Sequence, residues 1–128
     1  MTTRAQGVRV SHELDRQIAR EAAAQGKSWS ATTAEPLEEA VRMRRAPGVV
    51  FMAGPAGRRA VIAGAGLDVW EVVATWRDVD GSFEALRQGY PWLTEAQLRA
   101  ALAYQQLYPE EIDERLRREE DRSRSRER

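Results

Sequence analysis

His12 is the only histidine in a 128-residue chain without cysteine, so no zinc site of nitrogen and sulfur ligands can be completed. It follows Ser11, a good helix cap, which makes it a first-turn surface residue. Two glycine clusters fall short of phosphate loops. Gly54-Pro55-Ala56-Gly57 lacks the Lys-Ser/Thr of a P-loop. Gly64-Ala65-Gly66 lacks the third glycine of a dinucleotide fingerprint and precedes Asp68, whose charge repels a phosphate. Both read as turns. The acidic pairs Glu38-Glu39, Glu110-Glu111 and Glu119-Glu120 are adjacent in sequence, so each diverges around a helix instead of converging on a metal. The converging carboxylates that a Mg²⁺-dependent nuclease needs are not visible. The expectation is a binder and not an enzyme, with no catalytic residues, no cofactor and no metal.

Binding chemistry then falls to cations and hydroxyls. Twenty Lys/Arg balance twenty Asp/Glu, and nucleic-acid binders usually carry a basic excess. Residues 1–48 hold eight basic side chains against six acidic, residues 49–109 five against six, and the remainder seven against eight. Only the front third leans basic. In the C-terminal run EEIDERLRREEDRSRSRER, Arg115, Arg117, Arg118 and Arg122, with Arg124 and Arg126 beyond them, are candidates for neutralising an acidic partner. The alternative is a solvated helix laced with Glu–Arg pairs. Thr94, Gln97 and Arg99 form a second candidate set, with Gln97 and Arg99 expected on the exposed face of their helix.

The elements that must position these residues are legible from capping and periodicity. Val8-Arg9-Val10 alternates as a short strand. Ser11 caps HELDRQIAREAAAQ, in which Leu14, Ile18 and Ala22 share a face and Gly26 stands at the C-cap. A second helix is expected over roughly 34–45. Begun at Ser30 it would hold Pro36 internally at a cost of about 3 kcal/mol, whereas Thr33 as cap leaves Pro36 in the tolerated first turn. Val49–Met52 and Ala60–Ala63 read as two short strands around a Gly/Pro turn. Asp68 is expected to cap DVWEVVATWRDV, with Glu71 at the capping-box position. Ser82 caps a short helix, Gly89-Tyr90-Pro91-Trp92 makes a turn, and Thr94 with Gln97 forms a capping box for the next helix. Pro109 opens its continuation, and RSRSRER, with no apolar residue, is expected to be disordered. Trp70, Trp76, Trp92, Leu86, Leu93, Leu98, Leu102 and Tyr104 recur at core spacings.

The front third resembles the ribbon-helix-helix family over residues 7 to about 45. The residues that carry it are VRVSHELDRQIAREAAAQGKSWS, with Val-x-Val, a Leu three residues past the cap, and Gly-Lys-Ser-x-Ser. The resemblance implies a homodimer in which two chains pair their strands, with Arg9 and Gly7 on the DNA groove face and Lys27, Ser28 and Ser30 near a backbone phosphate. Of the groove face Ala5, Gly7 and Arg9, only Arg9 offers hydrogen bonds to a base edge. One such contact discriminates by roughly 1–3 kcal/mol.

From Gly57 to about Leu116 the chain is similar to the bacterial domain of unknown function 433. The match rests on the Arg-x-x-Ile-x-Gly-x-Gly lead, Val69-Trp70, Tyr90-Pro91-x-Leu93-Thr94, Ala100–Tyr104 and the Pro109–Asp113 ending. Ala65 departs from the Thr that many relatives carry. The resemblance implies a helix-turn-helix-like trihelical fold with a small β element. It also implies an antitoxin of a type II toxin–antitoxin pair, neutralising a PIN-like ribonuclease and autoregulating at operator DNA. The expected fold is therefore mainly α. A dimeric ribbon-helix-helix over 1–48 is followed by a helix-turn-helix-like domain over 49–116 and a charged, disordered tail over 117–128. Arg115, Arg117, Arg118 and Arg122 would then dock on the toxin's acidic site. The alternatives are a stand-alone DNA-binding regulator and a dimeric adaptor that does not bind DNA. Lacking a signal-peptide run and any long apolar stretch, the chain is expected to be cytoplasmic and away from membranes.

Overall fold

The computed structural model describes residues 3–128; the first two residues of the expected front module lie outside them. The fold is mainly helical, with six helices and one two-stranded antiparallel sheet among the described residues. It divides into two compact units, the first ending at Ala40 and the second being Val41–Arg128. That division falls inside a helix.

In the first unit, α1 (His12–Gln25) starts where expected, with Ser11 Oγ accepting the Leu14 N–H at 3.1 Å. It ends at Gly26, whose φ of 64° is the left-handed conformation that glycine adopts without strain. The next helix corrects the sequence expectation: α2 is Trp29–Arg45, with Pro36 inside it. Ser28 Oγ accepts the Ala31 N–H at 3.1 Å, so Ser28 does the capping assigned to Thr33. The Thr32 and Thr33 hydroxyls instead donate back to the Ser28 and Trp29 carbonyls, each at 2.8 Å. Trp29 Nε1 donates to Asp15 Oδ1 at 2.9 Å and ties the start of α2 to α1. The expected strand Val8–Val10 does not form in the single chain, because a strand exists only by pairing and the chain's two strands pair with each other. Ala22 is the one buried residue of this unit among those described, while Leu14 and Leu37 stand 43% and 52% exposed.

The second unit carries the core. β1 (Val49–Gly54) and β2 (Gly57–Ile62) form a hairpin in register Val49↔Ile62 to Gly54↔Gly57, with Pro55-Ala56 as the loop. Both strands run further toward the turn than expected. Four helices follow: α3 (Val69–Asp78), α4 (Phe83–Gly89), α5 (Glu95–Leu107) and α6 (Pro109–Glu127). Val49, Ile62, Val69, Val72, Val73, Leu86, Leu98, Ala101, Tyr104 and Ile112 pack as one cluster. The apolar positions of α3 and α5 recur every three or four residues, so each helix puts one stripe inward against the hairpin. Thr94 and Gln97 close the expected capping box around α5.

Two corrections concern this unit. Trp92, expected in the core, is 68% exposed and packs edge-on against Tyr90, ring centroids 5.5 Å apart. The run 117–127, expected as a disordered tail, continues α6 as helix. It contains neither Gly nor Pro, and Arg115–Glu119 and Arg122–Glu119 pairs lie along it at 2.9 and 3.4 Å. Among the described residues no helix is long and apolar enough to cross a membrane.

Candidate anion-binding groove

The hairpin and α6 bring cations together. A groove of about 320 Å³ runs between the tip Gly54-Pro55-Ala56-Gly57 and α6, lined by Arg58, Arg59, Arg115, Arg118 and Arg122. Its inner end is walled by Trp70, Glu111 and Ile112. The Arg58-Arg59 pair enters β2 directly after the turn, while Arg115, Arg118 and Arg122 recur at three- and four-residue spacing. They therefore share one helical face.

The floor is fixed by a relay of contacts. Arg59 pairs with Asp68, which is buried, and Trp70 Nε1 donates to the other Asp68 oxygen at 3.0 Å. Asp68 was expected to cap α3; its side chain makes no capping bond, because both oxygens face Arg59 and Trp70 instead. The Arg115 guanidinium sits 5.3 Å from the Trp70 ring centroid. Arg115 and Arg122 share Glu119, and Arg115 Nε is buried without a hydrogen-bond partner. Gly54 leaves the space Arg59 crosses: a Cβ there would meet Arg59 Cδ at 3.1 Å. Replacing Asp68 by asparagine keeps the shape but removes the charge facing Arg59. A loss of roughly 1.5–3 kcal/mol in urea unfolding is expected, the range for hydrogen bonds to charged groups.

Glu71 belongs to the same electrostatic neighbourhood. Burial lifts its carboxyl above the ordinary 4.5, Arg59 and Arg115 pull it back, and Glu119 pushes it up. A raised carboxyl opposes folding once ionised, so this penalty disappears as pH falls through the raised value. Protonation also removes a negative charge beside Arg59 and Arg115. At the other end of α5, Tyr104 donates to Glu111, and Arg42 donates to both, at 3.1 Å to Tyr104 and 2.7 Å to Glu111. The acid nearest the inner end of the groove is thus already engaged.

Among the described residues no group of three or more His, Cys, Asp and Glu is placed to hold a metal. Guanidinium forks in a shared groove recognise oxyanions, with paired N–H donors that match carboxylate or phosphate.

The arrangement sorts the sequence candidates. Arg115, Arg118 and Arg122 meet at the groove; Arg117 does not line it. Gln97 is engaged internally: its oxygen accepts the Thr94 N–H at 2.9 Å and its nitrogen donates to the Ala63 carbonyl at 3.3 Å. The Thr94 hydroxyl accepts the Gln97 N–H, and Arg99 pairs with Glu95 while lying 4.2 Å from the Phe83 ring centroid. The expected exposed pair is therefore occupied within the unit. In the first unit, Lys27, Ser28 and Ser30 gather at the start of α2, with Ser28 Oγ taken by the cap. Gly7 and Arg9 lie in the stretch without regular structure. Arg58 and Arg59 were missed because the Gly54–Gly57 segment read only as a turn; the signal was the arginine pair immediately after it.

Residues 50–105 match the family model described as Protein of unknown function (DUF433). The matched segment begins earlier than the resemblance read from sequence and stops before α6. It takes in the hairpin, Arg58, Arg59, Asp68 and Trp70, whereas Arg115, Arg118 and Arg122 lie beyond it. No curated protein and no solved structure matches the chain.

Proposed function

We propose that the protein is a non-catalytic, dimeric antitoxin or antitoxin-like regulator that neutralises a PIN-like ribonuclease. The observation that carries this reading is the shared groove: three of the four arginines read as docking residues stand beside Arg58 and Arg59. A Mg²⁺-dependent ribonuclease presents a carboxylate cluster, and a guanidinium-lined surface complements it in charge and donor geometry. Docking by α6 with the hairpin replaces docking by a flexible tail. The first unit supplies dimerisation, since a pair of helices with one buried alanine buries a core only against another copy. Arg9 and Gly7, with Lys27, Ser28 and Ser30 on phosphate, are the operator contacts of the same proposal.

The test is inhibition of the small PIN-like protein encoded beside this chain. Wild type should abolish its ribonuclease activity, and the Arg115→Glu/Arg118→Glu double variant should lose inhibition by at least about a hundredfold, some 2.7 kcal/mol. Undiminished inhibition by the double variant, or the absence of such a neighbour, overturns the reading. A stand-alone regulator is the second reading, favoured by the slight basic lean of residues 1–48. A mobility shift on the chain's own promoter at stated salt, lost in Arg9→Ala, would support it.

A further inference from the structure

We infer that the groove between the hairpin tip and α6 is a binding site for a phosphomonoester group. Three features of the groove argue for phosphate as the ligand chemistry. The first is charge. Five arginines line the main cavity and no acidic side chain does; Arg59 is matched by Asp68, while Arg115 and Arg122 divide one carboxylate, Glu119, between them. Arg118 has no partner among the described residues. Even with Glu71 near Arg59 and Arg115, the lining carries more arginines than the carboxylates that face them. A phosphomonoester brings close to two negative charges and three acceptor oxygens, which donors arriving from different directions can share.

The second is donor direction. The guanidiniums come from two elements, β2 and α6. A phosphomonoester presents three acceptor oxygens, one more than a carboxylate, for forks arriving from both elements to share. The unpartnered Arg115 Nε supplies a further donor. The third is room. About 320 Å³ lies at the small end of ligand sites, enough for an organic group attached to the phosphate. The groove thus does with arginines what the glycine cluster at 54–57 lacks the lysine and hydroxyl to do.

The consequence for the antitoxin reading, and it rests on that reading, is competition: a phosphomonoester in the groove and a toxin carboxylate cluster on it exclude one another. The site itself is tested on the full-length chain alone, so its failure is distinct from failure of toxin neutralisation. Inorganic phosphate, adenosine 5′-monophosphate, adenosine and sulfate are titrated separately at matched ionic strength, followed by calorimetry and by indole fluorescence, which Trp70 under Arg115 makes responsive. Saturable binding of phosphate or the monophosphate is expected, with adenosine silent. A monophosphate at least about tenfold tighter than inorganic phosphate, some 1.4 kcal/mol, identifies an organic ester as the ligand; equal affinities identify the free ion. Arg118→Ala/Arg122→Ala should weaken binding at least about tenfold; neither side chain is buried and alanine is a strong helix former, so circular dichroism should show the helix retained. Arg99→Ala, on another helix, should leave binding unchanged. Non-saturating titrations, sulfate binding as tightly as phosphate, or equal binding by the Arg118/Arg122 variant overturns the inference.

Discussion

Tyr104→Ala is expected to unfold the second unit more readily than any other single truncation, by about 3–5 kcal/mol, the usual cost of deleting a core aromatic. Tyr104 is fully buried, with the Phe51 ring 6.3 Å away edge-on and the Tyr108 ring at 4.9 Å. Its hydroxyl also joins Glu111 and Arg42, so alanine leaves both a cavity and two charged groups without their shared partner. Tyr104→Phe separates these contributions: the ring is kept, and a loss of roughly 1.5–3 kcal/mol is expected from the polar network. Burial, followed by the bond to Glu111, holds the phenol well above its ordinary 10.0. A raised phenol means that the unfolded chain releases its proton first. Wild type should thus lose stability as pH climbs past 10, and Tyr104→Phe should lack that slope. Urea unfolding at neutral and alkaline pH measures both; a wild-type slope matched by the Phe variant rejects the assignment.

Gly48→Ala is the second large effect, and it has two separable causes. Gly48 has φ of 95°, in the left-handed region, which costs other residues of order 1–3 kcal/mol. A Cβ at Gly48 would also stand 2.9 Å from Ala100 Cβ, and overpacking of this kind costs about 1–3 kcal/mol. The backbone cannot shift freely, because the Gly48 carbonyl accepts the Ala63 N–H at 2.9 Å. Together the expected loss is roughly 2–6 kcal/mol. Adding Ala100→Gly should relieve the contact but leave the backbone strain and add a further loss of about 1 kcal/mol for a helical glycine. Thermal unfolding of the three variants tests this, and full rescue by the double variant would mean that conformation plays no part.

Local signals carried most of the fold. Ser11, Ser82 and Thr94 began their helices as read, because a capping hydroxyl acts within three residues of itself. Gly26 ended α1 for an equally local reason. Longer-range competition accounts for the failures. Asp68 has the sequence context of a cap, but the Arg59 guanidinium and the Trp70 indole claim its carboxylate. Trp92 has a core residue's identity, yet it falls on a turn whose inward position is taken by Tyr90, bonded to Thr75 at 2.9 Å. Pro36 argued for a late helix start, but the Ser28 cap and the Trp29–Asp15 bond favour an early one. The groove was half legible: a helical run fixes which arginines share a face, but nothing in the run says which face meets a hairpin roughly sixty residues earlier.

The last apolar residue of α6 is Leu116, packed against the core, and helix continues to Glu127. Arg118 and Arg122 therefore stand on a part of the helix that hydrophobic burial does not hold. What lies along it is the half-buried Arg115–Glu119 pair and the more exposed Arg122–Glu119 pair, and solvent-facing pairs of this kind are weak and screened by salt. One wall of the groove is rigid and built of sheet; the other is an ionic spring whose stiffness the surrounding electrolyte sets. On the proposed reading, an acidic partner would supply the counter-charge that the helix otherwise draws from its own glutamates, and occupancy and helical order would rise together.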